Sequence, residues 1–205
     1  AFSGETVAVK ILLPDLLGDP VSMARLRREA ELGAALAHRN VCHIIGSGRS
    51  ESGLEYIVMP YLEGEPLWDR VNRAGQLHLD ETVWIVRDVS AGLHVAHEHG
   101  IIHRDLKPEN VMLVPDADGS ERAGLLDFGL AAAPVEHANR TKLTRAGMVV
   151  GTFEFMSPEQ MMDKPVDRRS DVYALAFMTY ELLTGALPFA GDTPQARKEA
   201  RYQLA

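Results

Sequence analysis

The chain has 205 residues, 46% of them hydrophobic and 24% charged, with a formal net charge of −8. That is enough for one or two compact units with a buried core, and too apolar for a disordered segment. The acidic balance excludes a sequence-independent nucleic-acid binder, which needs a basic face. It does not exclude a phosphate site, which a few local cations can build.

No stretch approaches the ~20 apolar residues of a membrane span. The N-terminus lacks the basic-then-apolar layout of a signal peptide. Cys42 is the single cysteine, so an internal disulfide is impossible. It sits in the apolar run Val41–Ile45, and we expect a buried, inert thiol in a reducing, cytoplasmic setting. The chain opens without Met on a strand-like run, which suggests a piece of a longer protein.

In chain order, Val7 to Leu13 reads as a strand closed by Pro14. A helix is predicted next, capped by Asp19 with Pro20 at its first position and with Met23, Leu26, Ala30 and Gly33 along one face. Val41–Ile45 and Tyr56–Met59 read as strands around a Gly/Ser turn, so residues 1–59 form a small sheet carrying one helix. Glu63 to Pro66 reads as a loop. A long helix starts near Asp80 with Val86, Val89, Leu93 and Ala96 on one face, and Gly100 stands where a helix-ending glycine belongs. Strands are predicted at Val111–Val114 and Ala123–Leu126, joined by the turn Asp116–Gly119. Residues 130–150 carry no clear pattern. Asp171–Thr184 is apolar almost all round and predicts a helix buried on most sides, stopped by Gly185 and Pro188.

The strongest chemical signal is His103-Arg104-Asp105-Leu106-Lys107-Pro108-Glu109-Asn110. It sets a carboxylate, a cation and an amide close together on one loop. Phosphoryl transfer from a nucleotide asks for an acceptor for the substrate hydroxyl proton, a charge on the γ-phosphate and a magnesium ligand. Asp127-Phe128-Gly129 follows 22 residues after Asp105, adding a second hard oxygen ligand and a glycine that permits a sharp turn.

These two motifs together resemble the eukaryotic-type protein kinase family, and the rest follows in family order. Val7-Ala8-Val9-Lys10 is similar to the third-strand lysine motif, and Glu29 stands where the ion-pair partner of that lysine would. Gly151-Thr152 and Ser157-Pro158-Glu159 resemble the substrate-docking segment. Asp171-Val172-Tyr173-Ala174-Leu175 resembles the start of the central buried helix. The 151–160 stretch is most like bacterial members.

The resemblance implies a role for each matching residue. Asp105 would be the catalytic base or hydroxyl-orienting carboxylate. Lys107 would contact the γ-phosphate, and a lysine there marks the Ser/Thr branch. Asn110 and Asp127 would hold magnesium, with manganese as an alternative metal. Lys10, oriented by Glu29, would clamp the α- and β-phosphates of ATP. Asp171 would brace the catalytic-loop backbone. At the hinge, Met59 would be the gatekeeper. Pro60, where the family commonly has Glu, keeps the carbonyl that accepts from the adenine amino group, and Leu62 supplies the N–H. Ala8 and Met112 would sandwich the adenine. Arg104 would pair with a phosphorylated activation loop, for which Thr144 and then Thr141 are the candidate sites, and Thr152 would have a structural role near Asp105.

Three other patterns have plainer explanations. Gly46-Ser47-Gly48 with Gly53 imitates a nucleotide glycine loop but falls after the lysine strand, where a hairpin turn suffices. His94, His97, His99 and His103 straddle a helix end, which is poor zinc spacing. Asp116–Gly119 resembles a calcium loop without its remaining ligands.

The expectation is therefore an α+β, two-lobed protein-kinase-like fold, with a small antiparallel sheet lobe and a mainly helical lobe. Residues 1–62 would be a partial first lobe with the hinge, its glycine-rich loop missing. Residues 63–205 would be a partial second lobe whose late helices are missing. The function expected is ATP-dependent phosphorylation of protein Ser/Thr hydroxyls, with self-association for activation-loop autophosphorylation, no nucleic-acid partner and no membrane segment within this chain. The alternatives are a pseudokinase scaffold and a small-molecule phosphotransferase of related fold. Lys10, Asp105, Asn110 and Asp127 argue against the first, and the Ser-Pro-Glu and Gly-Thr motifs against the second.

Overall fold

The computed structural model of the chain describes residues 4–11, 33–127, 154–162 and 164–189. The predicted helix after Pro14, Glu29, Phe128, Gly129, Thr141, Thr144, Gly151 and Thr152 lie outside the described residues.

Two three-stranded antiparallel sheets organise the rest. The first has the order β1 (Val7–Ile11), β3 (Glu55–Pro60), β2 (Gly46–Arg49). Ala8 pairs with Met59 and Lys10 with Ile57. Opposed residues share a face and neighbours along a strand alternate, so Ala8, Lys10, Ile57 and Met59 face one way. Ile57 is fully buried there, packed by Ile44 and Met59. Val9 and Ile11 face the other way and are about half exposed.

The structure corrects the expectation for residues 41–49. Val41–Ile45 is not a strand, although its residues are apolar and β-branched. Its backbone N–H groups go to scattered partners: Val41 donates to His38 (3.0 Å), Cys42 to Leu125 (2.8 Å), Ile44 to Gly33 (3.3 Å) and Ile45 to Val58 (2.9 Å). The segment bridges the two sheets instead of extending one. The strand is formed by Gly46–Arg49, because pairing with β3 supplies what its composition lacks. The turn lies further on, at Ser50–Leu54, where Gly53 takes a φ of +88°.

The second sheet has the order β4 (Glu65–Pro66), β5 (Val111–Pro115), β6 (Glu121–Leu125). The β5–β6 hairpin is as predicted. β4 and the following helix α1 (Leu67–Ala74) occupy residues that read as loop or carried no signal. Two apolar residues four apart, Leu67 and Val71, anchor α1 in the core. Arg70 ties the neighbourhood together. Its guanidinium donates to Glu65 (2.8 Å) in β4, Glu81 (2.9 Å) in the next helix and Glu121 (2.7 and 2.8 Å) in β6.

Helix α2 (Leu79–Glu98) buries Val89, Leu93 and Ala96 and ends with Gly100 at φ +71°, as its pattern predicted, but Ile85 is buried in place of the expected Val86, which is half-buried. The helix lies against β6 and against the later helix Arg168–Thr184. Close approach depends on Gly92, where a Cβ would come 2.7 Å from the Asn40 carbonyl oxygen and 2.8 Å from a Leu125 methyl. After the short helix α3 (Pro158–Met161), α4 (Arg168–Thr184) starts three residues earlier than expected because Asp167 caps it. Ala174, Phe177, Met178 and Leu182 are buried, with the Phe177 ring stacked on Tyr173 at 5.3 Å between centroids. The expectation of burial on most sides goes too far, since Val172, Tyr180 and Leu183 are exposed. No helix among the described residues is long and apolar enough to cross a membrane.

Candidate active site

The loop after α2 turns at Arg104, whose φ is +65°, a left-handed conformation that costs a non-glycine residue about 1–2 kcal/mol. Surrounding contacts hold it. Asp171, on the first turn of α4 and 1% exposed, accepts the N–H of Arg104 on Oδ1 (2.8 Å) and the N–H of His103 on Oδ2 (2.8 Å). His97 from α2 meets the same Oδ2 through Nε2 at 2.7 Å. One buried carboxylate thus joins α2, α4 and the loop.

His103 is fully buried. Its Nδ1 accepts from the Asp105 N–H (3.3 Å), so its proton sits on Nε2, which donates to the Leu126 carbonyl (3.0 Å). Burial pushes the His103 pKa down, against the pull of Asp171 and of the Leu126 hydrogen bond. The ring is neutral and works as a fixed spacer between Asp105 and the end of β6. Leu126 is pinned from the other side as well, its N–H donating to the Asn110 carbonyl (2.9 Å).

These contacts bring the predicted polar residues together. Asp105 Oδ2 pairs with Lys107 Nζ at 3.0 Å and accepts from Asn110 Nδ2 at 3.1 Å. Asn110 Nδ2 also donates to the Asp105 carbonyl (2.7 Å), so the donor end of that amide is engaged and its oxygen points elsewhere. Asn110 is carried on a 3-10 turn, Pro108–Asn110, that leads into β5. Asp127 follows Leu126 at φ +42°, a second strained non-glycine residue, and its Oδ1 meets Lys10 Nζ at 3.1 Å. Lys10 reaches it across 117 positions of sequence. Strain of this kind clusters where a backbone is held for a purpose.

At the other end of the first sheet, Ala8 and Met59 are cross-strand partners and Pro60 closes β3. The Leu62 side chain lies over Gly124, which is paired with Met112. The Cys42 thiol lies 3.9 Å from the Pro60 carbonyl. Burial, with Asp127 nearby, pushes this thiol up to about 11, so it is protonated at neutral pH. It is half-buried, more open than expected.

Two residues beside this cluster escaped the sequence reading. His97 appears in the sequence only as one of several histidines, and nothing marks Asp171 as its partner. Gln160 belongs to a capping box with Ser157, a pattern visible in the sequence as Ser-x-x-Gln, yet its amide also donates to the Arg104 carbonyl (2.7 Å).

The chain matches the protein kinase domain over residues 1–204 and belongs to that family. It is 41% identical over 191 residues to the serine/threonine-protein kinase PknB of Mycobacterium leprae, an alignment that spans 92% of this chain and 30% of that protein. It is 40% identical over 189 residues to the serine/threonine-protein kinase pkn3 of Myxococcus xanthus, covering 92% of this chain and 35% of that protein. A probable serine/threonine-protein kinase PknB of Lactococcus lactis is 38% identical over 197 residues, 96% of this chain and 30% of that protein. The chain therefore spans about a third of the length of these relatives.

Proposed function

We propose that the chain is the catalytic part of a serine/threonine protein kinase that moves the γ-phosphoryl group of ATP to a protein hydroxyl. The observation that carries this reading is the meeting of Asp105, Lys107 and Asn110 within 3.1 Å on one loop, beside a Lys10–Asp127 pair at the same distance.

The donor set fits a magnesium nucleotide. The Asn110 amide has its nitrogen engaged and its oxygen left for a hard cation, and Asp127 offers a carboxylate. Magnesium there, or manganese, would neutralise charge on the β- and γ-phosphates. Lys10 would exchange Asp127 for the α- and β-phosphates, with Glu29 as its orienting partner. Asp105 would receive the proton of the Ser or Thr hydroxyl as that oxygen bonds to the γ-phosphorus and the bond to the β-phosphate oxygen breaks, leaving ADP. Lys107 would hold the transferring group from the side of Asp105. Pro60 through its carbonyl and Leu62 through its N–H would bind adenine between Ala8 and Met112, behind the Met59 gatekeeper. Residues 1–62 and 63–205 would form the two lobes of this cleft.

Arg104 would pair with a phosphate on Thr144 or Thr141 of a second copy's or its own activation segment, which makes self-association part of the reading, and Thr152 would support the docking segment. The substrates are proteins, and the cytoplasm, where ATP is available, is the compartment this chemistry requires.

The test is transfer from γ-labelled ATP by the intact protein, with Asp105→Asn as the blank. Label in protein Ser/Thr supports the reading. Label in a small molecule, or equal label with and without Asp105, overturns it.

A further inference from the structure

We propose that Gln160 is a positioning residue for Asp105, a claim that rests on the kinase reading above. Gln160 uses both ends of its amide. Oε1 accepts from the Ser157 N–H (3.0 Å), which closes the cap of α3, and Nε2 donates to the Arg104 carbonyl (2.7 Å). A capping box needs only the first of these, and glutamate would serve it as well as glutamine. The glutamine amide accepts at one end and donates at the other, which an ionised glutamate cannot do.

The carbonyl that Gln160 holds belongs to the peptide joining Arg104 to Asp105. The N–H of that same peptide donates to His103 Nδ1 (3.3 Å). The peptide plane from which the Asp105 side chain springs is therefore gripped at its oxygen by Gln160 and at its nitrogen by His103. The grip matters because the preceding residue is left-handed, at φ +65°, and relaxation of Arg104 would rotate this plane first. Asp171 secures the other side of Arg104 through its N–H. Of these three anchors, Gln160 alone comes from the Ser157–Met161 segment, so it ties the seating of that segment to the direction of the Asp105 carboxylate.

The test compares the intact protein with its Gln160→Glu and Gln160→Met variants. The Gln160→Glu change keeps the cap acceptor and its length but sets an acceptor against the Arg104 carbonyl. The Gln160→Met change removes both functions at similar length. Three quantities are measured: kcat and KM for ATP, the exchange rate of the Asp105 amide by NMR, and the melting temperature. With Gln160→Glu we expect kcat to fall about ten- to a hundred-fold, the cost of a misplaced catalytic group. KM for ATP should change less than about twofold, and Asp105 amide exchange should quicken about tenfold. The melting temperature should stay near that of the unchanged protein. With Gln160→Met the same losses should come with a lower melting temperature.

Unchanged kcat and exchange in the Gln160→Glu variant overturn the inference. So does a loss of activity that tracks melting temperature equally in both variants, since that is what a structural cap alone would give. If the unchanged protein transfers no phosphate at all, the kinase reading fails, and amide exchange at Asp105 still decides whether Gln160 positions it.

Discussion

Asp171 shows how much one side chain can hold. Its carboxylate is almost fully buried and takes two backbone N–H groups and His97. Removing it strands all of these donors. We expect Asp171→Ala to cost about 3–5 kcal/mol in a urea titration, the range for breaking a buried charged network, and to abolish phosphate transfer. Glu181 behaves in the opposite sense. Burial, then the neighbouring charges of Glu154 and Glu109, raise its carboxyl from 4.5 to about 7. One oxygen of Glu181 and one of Glu109 are buried without a hydrogen-bond partner among the described residues. Between these two pH values the folded state binds more protons than the unfolded one, so Glu181 makes stability fall as pH rises from about 4.5 to about 7. Glu181→Gln should flatten that part of the pH–stability curve and stabilise the protein at pH above 7, as read from denaturant midpoints at a series of pH values. A Glu181→Gln variant no more stable than the unchanged protein above pH 7 would contradict this. Among such residues, Asp105, Lys107, Asn110 and Asp127 were legible because their order and spacing form a motif. Glu181, His97 and Gln160 were not, because what each does depends on residues far away in sequence.

At the scale of elements, legibility followed how much of an element's identity is local. Helix α2 and the β5–β6 hairpin carry their periodicity in their own residues, the helix ending at Gly100 and the hairpin turning at Gly119, both at positive φ. β2 is Gly-Ser-Gly-Arg and reads as a turn, and only its ladder with β3 makes it a strand. α1 exposes Trp68 and Asp69 and has just two core residues, so its pattern is too sparse to read. What α1 lacks in apolar surface it partly replaces with the Arg70 network. Glu65, hydrogen-bonded first by Arg73 and also by Arg70, is held down to about 2. The stability this gives is present above pH 4.5 and is lost as pH falls toward 2. Arg70→Met should shrink the loss of stability between these two values, measured by acid titration of the helical signal. Packing between elements is tested by Gly92→Ala. The added methyl meets the Asn40 backbone, which cannot swing aside, and about 1–3 kcal/mol of destabilisation is expected by thermal or urea unfolding.

Across the whole molecule, Lys10 of the first sheet meets Asp127, which follows the last strand of the second, over 117 positions of sequence. The Lys10–Asp127 pair is half-open to solvent, with side chains 37% and 43% exposed, so it adds little stability of its own and can be exchanged for other partners at small cost. Any ligand that binds the folded state alone stabilises it, by about 2.7 kcal/mol at a hundredfold excess over Kd. ATP with magnesium should therefore raise the melting temperature of the intact protein. The rise should shrink with Lys10→Met and with Asp127→Asn and survive in large part with Asp105→Asn, as followed by scanning calorimetry. A rise that is identical in all of them would place the nucleotide elsewhere. That Lys10 and Asp127 would line one site was readable in advance from one strand motif and one loop motif, although Lys10 was expected to pair with Glu29; the second three-stranded sheet was not, since Glu65–Pro66 read as a loop. The route of residues 41–45 between the sheets was not, since their hydrogen bonds are decided by where each sheet already lies.

Cys42 also carries a chemical consequence. It lies against the Pro60 carbonyl, the group proposed above to accept from adenine, and a single cysteine there invites an acrylamide warhead on an adenine mimic. Its raised pKa leaves almost no thiolate at neutral pH, so such electrophiles should alkylate it slowly, whatever their fit.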